Sequence, residues 1–112
     1  MVDTRMYEAH PYVMRITVAG FDWDEGNRAK CRKHGVSIAE IEALLSGDPH
    51  VAPDLRHSAA EDRFIAVGRN ARGRALFVAF TFRTREGESL VRPVSARYMH
   101  KKEVEAYETQ GS

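Results

Sequence analysis

Arginine dominates the cationic side chains of this 112-residue chain, thirteen against four lysines. From Arg56 to Arg97 there are nine arginines and no lysine, against four acids, Glu61, Asp62, Glu86 and Glu88. A guanidinium is a planar fork that matches the oxygens of a phosphate, so this bias fits a phosphate-bearing partner. Solvated arginines on exposed strand faces would give the same composition. Arg63 alternates with Ile65 and Val67, and Arg92 shares a face with Leu90 and Val94. An arginine among apolar neighbours costs free energy when buried without a partner. An ion pair, such as Arg92 with Glu61, would meet that cost. So would an anion bound in a concave sheet face, and the sequence weighs the two equally. Arg97 and the pair Lys33-His34 complete the cationic candidates. The five histidines (His10, His34, His50, His57, His100) show no ligand-like spacing, and Cys31 has no partner thiol. The glycines sit singly, so no glycine-rich phosphate loop is present. The chemistry expected is that of a cationic site with no metal and no cofactor.

Those residues must be carried by a small set of elements. Arg15 to Phe21 alternates with β-branched residues and reads as a first strand. Asp24 can cap a polar helix from about Glu25 to His34, with Trp23 as a core anchor. Gly35 then suits the left-handed position past a helix end, and Lys33 and His34 suit the negative end of the helix dipole. Ser37 and Glu40 form a capping box, and Val36 and Ile41 occupy staple positions. Ile38, Ile41, Leu44 and Leu45 recur at helical spacing, and Ser46-Gly47-Asp48-Pro49 ends the second helix. His50 to Ala60 reads as a loop around a short extended piece.

Three strands in hairpin succession follow, Arg63 to Arg69, Ala75 to Phe82 and Leu90 to Ala96. Turns at Asn70 to Gly73 and Arg83 to Gly87 join them. The second strand is the most apolar and should be central. Leu76, Val78, Phe80 and Phe82 fall on one face, and Ala75, Phe77, Ala79, Thr81 and Arg83 on the other. Pro93 calls for an edge or a bulge in the third strand. A last helix runs from about Lys101 to Tyr107, with His100 and Glu103 in capping-box positions. The order β-α-α-β-β-β-α describes an α+β fold: a small antiparallel sheet with two N-terminal helices and one C-terminal helix, mainly on one face.

Length allows one domain with one modest core, expected over residues 14–108. Residues 1–13 read as a peripheral N-terminal extension and 109–112 as a frayed tail. Apolar and charged contents of 43% and 29% are those of a folded domain. No apolar run approaches the roughly 20 residues that span a bilayer. The N-terminus lacks the apolar core of a secretory signal, so a cytoplasmic protein with no membrane association is expected.

In order along the chain, several pieces resemble the BrnT family. They are Trp23-Asp24, Lys33-His34-Gly35-Val36-Ser37, Glu61-x-Arg63-Phe64-Ile65-x-Val67-Gly68, Val91-Arg92-x-Val94-Ser95-Ala96-Arg97 and Glu103-x-x-x-Tyr107. That family comprises toxins of type II toxin–antitoxin systems, and the resemblance covers about residues 14–108. It implies a RelE-like fold and metal-independent RNA cleavage. It also implies neutralisation by a cognate antitoxin of ribbon-helix-helix type, with operator DNA bound only through that antitoxin. The first helix departs from the family pattern, which has a lysine shortly after Trp-Asp and an asparagine ahead of Lys-His-Gly. RNA carries its own nucleophile, the 2′-OH. Cleavage then needs a base, an acid and cations at the phosphorane. On this resemblance Arg63 and Arg97 are the stabilising cations, His34 or Glu61 the base and Lys33 an auxiliary cation. Arg92 and Tyr107 are candidates for RNA binding. The competing readings are a non-catalytic module that binds protein or nucleic acid, and a small enzyme with an anionic substrate. Geometry decides a first point: Lys33 and His34 should lie near Arg63 or Arg97.

Overall fold

The computed structural model describes residues 12–13, 18–57 and 61–110. The chain runs through β1 (Tyr12–Val13), β2 (Gly20–Phe21), α1 (Glu25–Arg32), α2 (Ile38–Ser46), β3 (His50–Pro53) and a 3-10 turn (Leu55–His57). It continues through β4 (Phe64–Arg69), β5 (Ala75–Arg85), β6 (Glu88–Tyr98) and α3 (Lys101–Gln110). The six strands form one sheet in the spatial order β1-β3-β4-β5-β6-β2. The fold is α+β, as the element pattern predicts, with β5 between β4 and β6. The sheet is mixed rather than wholly antiparallel, because β2 pairs with β6 in parallel, Gly20 opposite Leu90 and Phe21 opposite Val91. The start of the predicted first strand, residues 15–17, lies outside the described residues, as do His10 and residues 58–60. Residues 50–53 are the short extended piece expected within the His50 to Ala60 segment, and they form a paired strand. Its hydrogen bonds come from β4, with Val51 opposite Ala66.

Local sequence accounts for the helix ends. Asp24 accepts from the Asn27 backbone N–H at 3.0 Å, and the Asn27 side chain accepts from the Asp24 N–H at 2.7 Å. At α2 the Ser37 hydroxyl accepts from the Glu40 N–H at 3.0 Å, and Glu40 returns the bond to the Ser37 N–H at 3.0 Å. Gly35 between the helices has φ +87°, a conformation that a Cβ would strain. Val36 and Ile41 are both buried, as a hydrophobic staple requires.

The β5–β6 turn is tighter than the residue types suggest. β5 continues to Arg85, and two residues, Glu86 (φ +52°) and Gly87 (φ +80°), reverse the chain. Positive φ at both turn positions matches the twist of a two-residue hairpin, and a glutamate there gives no warning of it. Pro93 sits at a bulge. Phe80 pairs with Pro93 and Ala79 with Ser95, so Val94 is skipped.

Cross-strand partners share a face, and the register therefore sorts the side chains. Ala66, Val78 and Ala96 are mutual neighbours on the core face, with Leu76, Phe80 and Val91 also buried there. α2 closes this face with Ile41, Leu44 and Leu45. It approaches β4 so closely that a Cβ on Gly68 would collide with the Leu44 side chain. α1 packs against β6. There buried Asn27 donates its amide to the carbonyls of Asp22 (2.9 Å) and Pro93 (2.8 Å), the latter next to the bulge. The helices do not all lie on one face. α3 reaches over the opposite face, where Tyr107 meets His50 with ring centroids 5.6 Å apart. Ile65, Val67, Phe77, Ala79, Ser95 and Arg97 belong to that opposite face by register.

Candidate active site

The α1–α2 corner and the opposite sheet face meet at an open cavity of about 340 Å³. His34 from the corner lines it, with Arg97 from β6 and Arg56 from the 3-10 turn. Ile65, Phe77 and Ser95 form its floor. His34 is placed there by the Gly35 reversal and by Val36, which pins the corner into the core. His34 and Arg97 thus share one cavity. Lys33 is adjacent in sequence and exposed, and does not line it.

Arg97 is the most restrained of these groups. Its two terminal nitrogens donate to the two oxygens of Glu103 in α3, at 2.7 and 2.8 Å. Its guanidinium carbon lies 4.5 Å from the centre of the Phe77 ring. The fork holds the Glu103 carboxyl down at about 2, helped by the His100 N–H that also donates to it. The same hydrogen bonds raise the Arg97 pKa further. Arg97 is therefore a cation on a firm mount, with its in-plane donors occupied by a carboxylate on a surface helix.

Glu61, Arg63 and Arg92 gather elsewhere on the same sheet face. Arg92 lies opposite Thr81, and Arg63 is two residues from Ile65 on the extended chain, so both continue the face that bears Ser95 and Ile65. They line a second cavity of about 310 Å³, with Lys30 and Asn27 of α1 and Arg83 of β5. Glu61 accepts a hydrogen bond from Arg83. Arg92 pairs with Asp24 at 2.9 Å and Asp22 at 3.6 Å, so the expected partnership of Arg92 with Glu61 is replaced by one with the start of α1. The bulge at Val94 sets Arg92 in that position. Asp24 is held below its usual carboxylate value, first by the Asn27 N–H and then by Arg92.

Tyr107 stands apart from both groups. It lines a cavity of about 230 Å³ beneath α3, with His50, Val67 and Val104, and its buried hydroxyl makes no hydrogen bond. The residues that sequence reasoning singled out thus fall into two cavities on one face, with Tyr107 in a third.

Sequence reasoning missed Arg56, Lys30, Arg83 and Glu103. Arg56 lies in what reads as loop, and Lys30 in a helix whose pattern departs from the family's. Glu103 was legible as a cap, since its spacing from His100 is that of a capping box. Nothing local connects it to Arg97. Among the described residues no group of three or more His, Cys, Asp or Glu could hold a metal ion. No helix among them is long and apolar enough to cross a membrane.

Fold and face together define a small α+β domain with a cationic sheet surface assembled from distant parts of the chain. The family model described as the ribonuclease toxin, BrnT, of type II toxin–antitoxin systems matches residues 23–103, and the chain belongs to that family. A toxin of this type has an antitoxin as its partner. No curated protein matches the chain.

Proposed function

We propose that the protein is a metal-independent endoribonuclease that cuts RNA at the His34–Arg97 cavity and so inhibits translation. The observation that carries this reading is the convergence of an imidazole and a guanidinium, from the α1–α2 corner and from β6, on one open cavity. The imidazole takes the proton of the 2′-OH. The O2′–P bond forms, the P–O5′ bond breaks, and the departing 5′-oxygen collects the proton that His34 holds. Arg97, with Arg56 beside it, balances the charge that grows on the phosphorane. Lys33 adds positive potential from the rim. Glu61 serves as the partner of Arg83 rather than as the base, and Arg63 and Arg92 hold RNA next to the cut. Tyr107 shapes the base of α3. Neutralisation falls to a cognate antitoxin, of ribbon-helix-helix type on the family resemblance, through which operator DNA is bound. The setting is the cytoplasm.

The test is cleavage of a defined RNA by purified protein in EDTA. Products with 2′,3′-cyclic phosphate and 5′-hydroxyl ends are expected, and no cutting when the substrate is 2′-O-methylated. His34→Ala and Arg97→Ala, each shown to be folded, should lose about 10²–10³-fold in kcat. Parent-like rates in both variants would remove the reaction from this cavity.

A further inference from the structure

The cavity of about 230 Å³ beneath α3 lies on the same sheet face as the His34–Arg97 cavity and adjoins it. On β4, Val67 lines the first where Ile65 lines the second, and on β5 Ala75 and Phe77 divide in the same way. At the end of β6, Met99 and Arg97 divide likewise. Two residues of extended chain cover about 7 Å. The step from one cavity to the other is therefore about that of one nucleotide in an extended strand. The wall of the α3 cavity is aromatic and apolar. His50 and Tyr107 meet there with ring centroids 5.6 Å apart, and Val104 lies beside them. The Tyr107 hydroxyl is buried and makes no hydrogen bond among the described residues, so a ligand atom that reaches it removes a cost that the free protein carries. Charge separates this cavity from its neighbour. Its lining carries two carboxylates, Asp48 and Glu108, and one guanidinium, Arg69. Arg69 already donates to the Gly73 carbonyl at 2.8 Å and to Glu108 at 2.7 Å. That balance disfavours a phosphate and suits the uncharged, planar part of a nucleotide.

We propose that the cavity beneath α3 is a base pocket, which takes the nucleobase next to the scissile phosphate and stacks it on the His50–Tyr107 wall. This rests on the ribonuclease reading for the identity of the ligand. Stacking by itself selects no base, because every base has a π-face. Selection falls to the exposed carboxylates of Asp48 and Glu108, which accept hydrogen bonds. Adenine, cytosine and guanine each carry an exocyclic amino group that donates to such an acceptor, and uracil carries none. The pocket therefore favours an amino-bearing base.

The test is equilibrium binding to the intact protein, which needs no catalysis. The probes are 2′-O-methylated hexamers of adenine, of cytosine and of uracil, and an abasic hexamer with the same backbone, each followed by anisotropy. The parent should bind the adenine and cytosine strands about tenfold more tightly than the uracil strand, the worth of a hydrogen bond to a charged acceptor. Tyr107→Leu and His50→Leu should each weaken the adenine and cytosine strands about tenfold, the worth of one stacked base. Both variants should hold the abasic strand as the parent does, which a variant with a damaged fold would not. Parent-like affinity for every strand in both variants would overturn the proposal. So would an equal loss on the abasic strand, which would make the two rings part of the scaffold. Equal binding of all three bases by the parent would overturn the selection by Asp48 and Glu108. If the parent cuts no RNA but its binding depends on the base and on Tyr107, the cleavage reading fails and the base pocket stands.

Discussion

Arg97 illustrates how one side chain can be both anchor and candidate catalyst. Both of its terminal nitrogens are spent on Glu103, and the ion pair is partly exposed, with side chains 42% and 32% accessible. The bidentate fork makes this a firmer pair than an ordinary exposed one, so Glu103 competes with a phosphate for the same donors. Charge-assisted bonds from the fork to a phosphate would replace those to the carboxylate. Glu103→Gln should therefore raise affinity for 2′-O-methyl RNA, by about 3–10-fold at low salt, because the competing charge is gone. Amide exchange in α3 should quicken in the same variant, since the His100 N–H and Arg97 lose a charged acceptor. Unchanged or weaker RNA binding would show that Arg97 is an anchor for α3 and nothing more.

The α1–α2 corner is the element on which His34 depends, and Glu40 ties it to the sheet. Its carboxylate accepts from the Ser37 N–H, from the Asn70 amide at 2.8 Å and from the Tyr98 hydroxyl at 2.9 Å. The Asn70 bond does most to hold Glu40 down at about 2, and the hydrogen bond from the Tyr98 hydroxyl to Glu40 raises the phenol. A carboxyl depressed in the folded state contributes stability above its unfolded value and loses it as protons bind to the folded form. Glu40 and Glu103 both follow this sign, so stability should fall between about pH 5 and pH 2. Glu40→Gln should be less stable than the parent at pH 7, and the gap should narrow as the pH approaches 2. Denaturant titrations across that range provide the check. A gap independent of pH would mean that the carboxylate charge is immaterial to the corner.

Across the whole molecule, one apolar layer between α2 and the sheet supports two faces with different tasks. Leu76, Val78 and Phe80 are fully buried on the core face of β5. Phe77 and Ala79 on the other side of the same strand belong to the cationic face. Leu76→Ala should cost about 2–5 kcal/mol in chemical denaturation, a large part of the roughly 5–15 kcal/mol typical of a domain. Its cleavage rate should stay near the parent's at temperatures where it is folded, because no lining residue is touched. A folded Leu76→Ala protein that had lost cleavage would show that the two faces are coupled.

Much of the scaffold was legible because its signals are local. The Asp24 and Ser37 caps, the Gly35 reversal, the Val36–Ile41 staple and the alternation of β5 each depend on residues within a turn or two. The family resemblance was legible for a related reason, since Lys33-His34-Gly35 and Ser95-Ala96-Arg97 keep their order along the chain. Residue types also marked Arg63, Arg92 and Arg97 as unusual among apolar neighbours. Tertiary structure alone decided which of them meet. Register put Arg97 opposite Phe77, and a skipped Val94 turned Arg92 toward Asp24 instead of Glu61. β3 and the parallel partner of β6 owe their hydrogen bonds to distant strands. The separation of His34 and Arg97 from Glu61, Arg63 and Arg92 into two cavities is of the same kind. Ion-pair partners and cavity walls are set by distance in space, and a one-residue change of register reassigns a whole face.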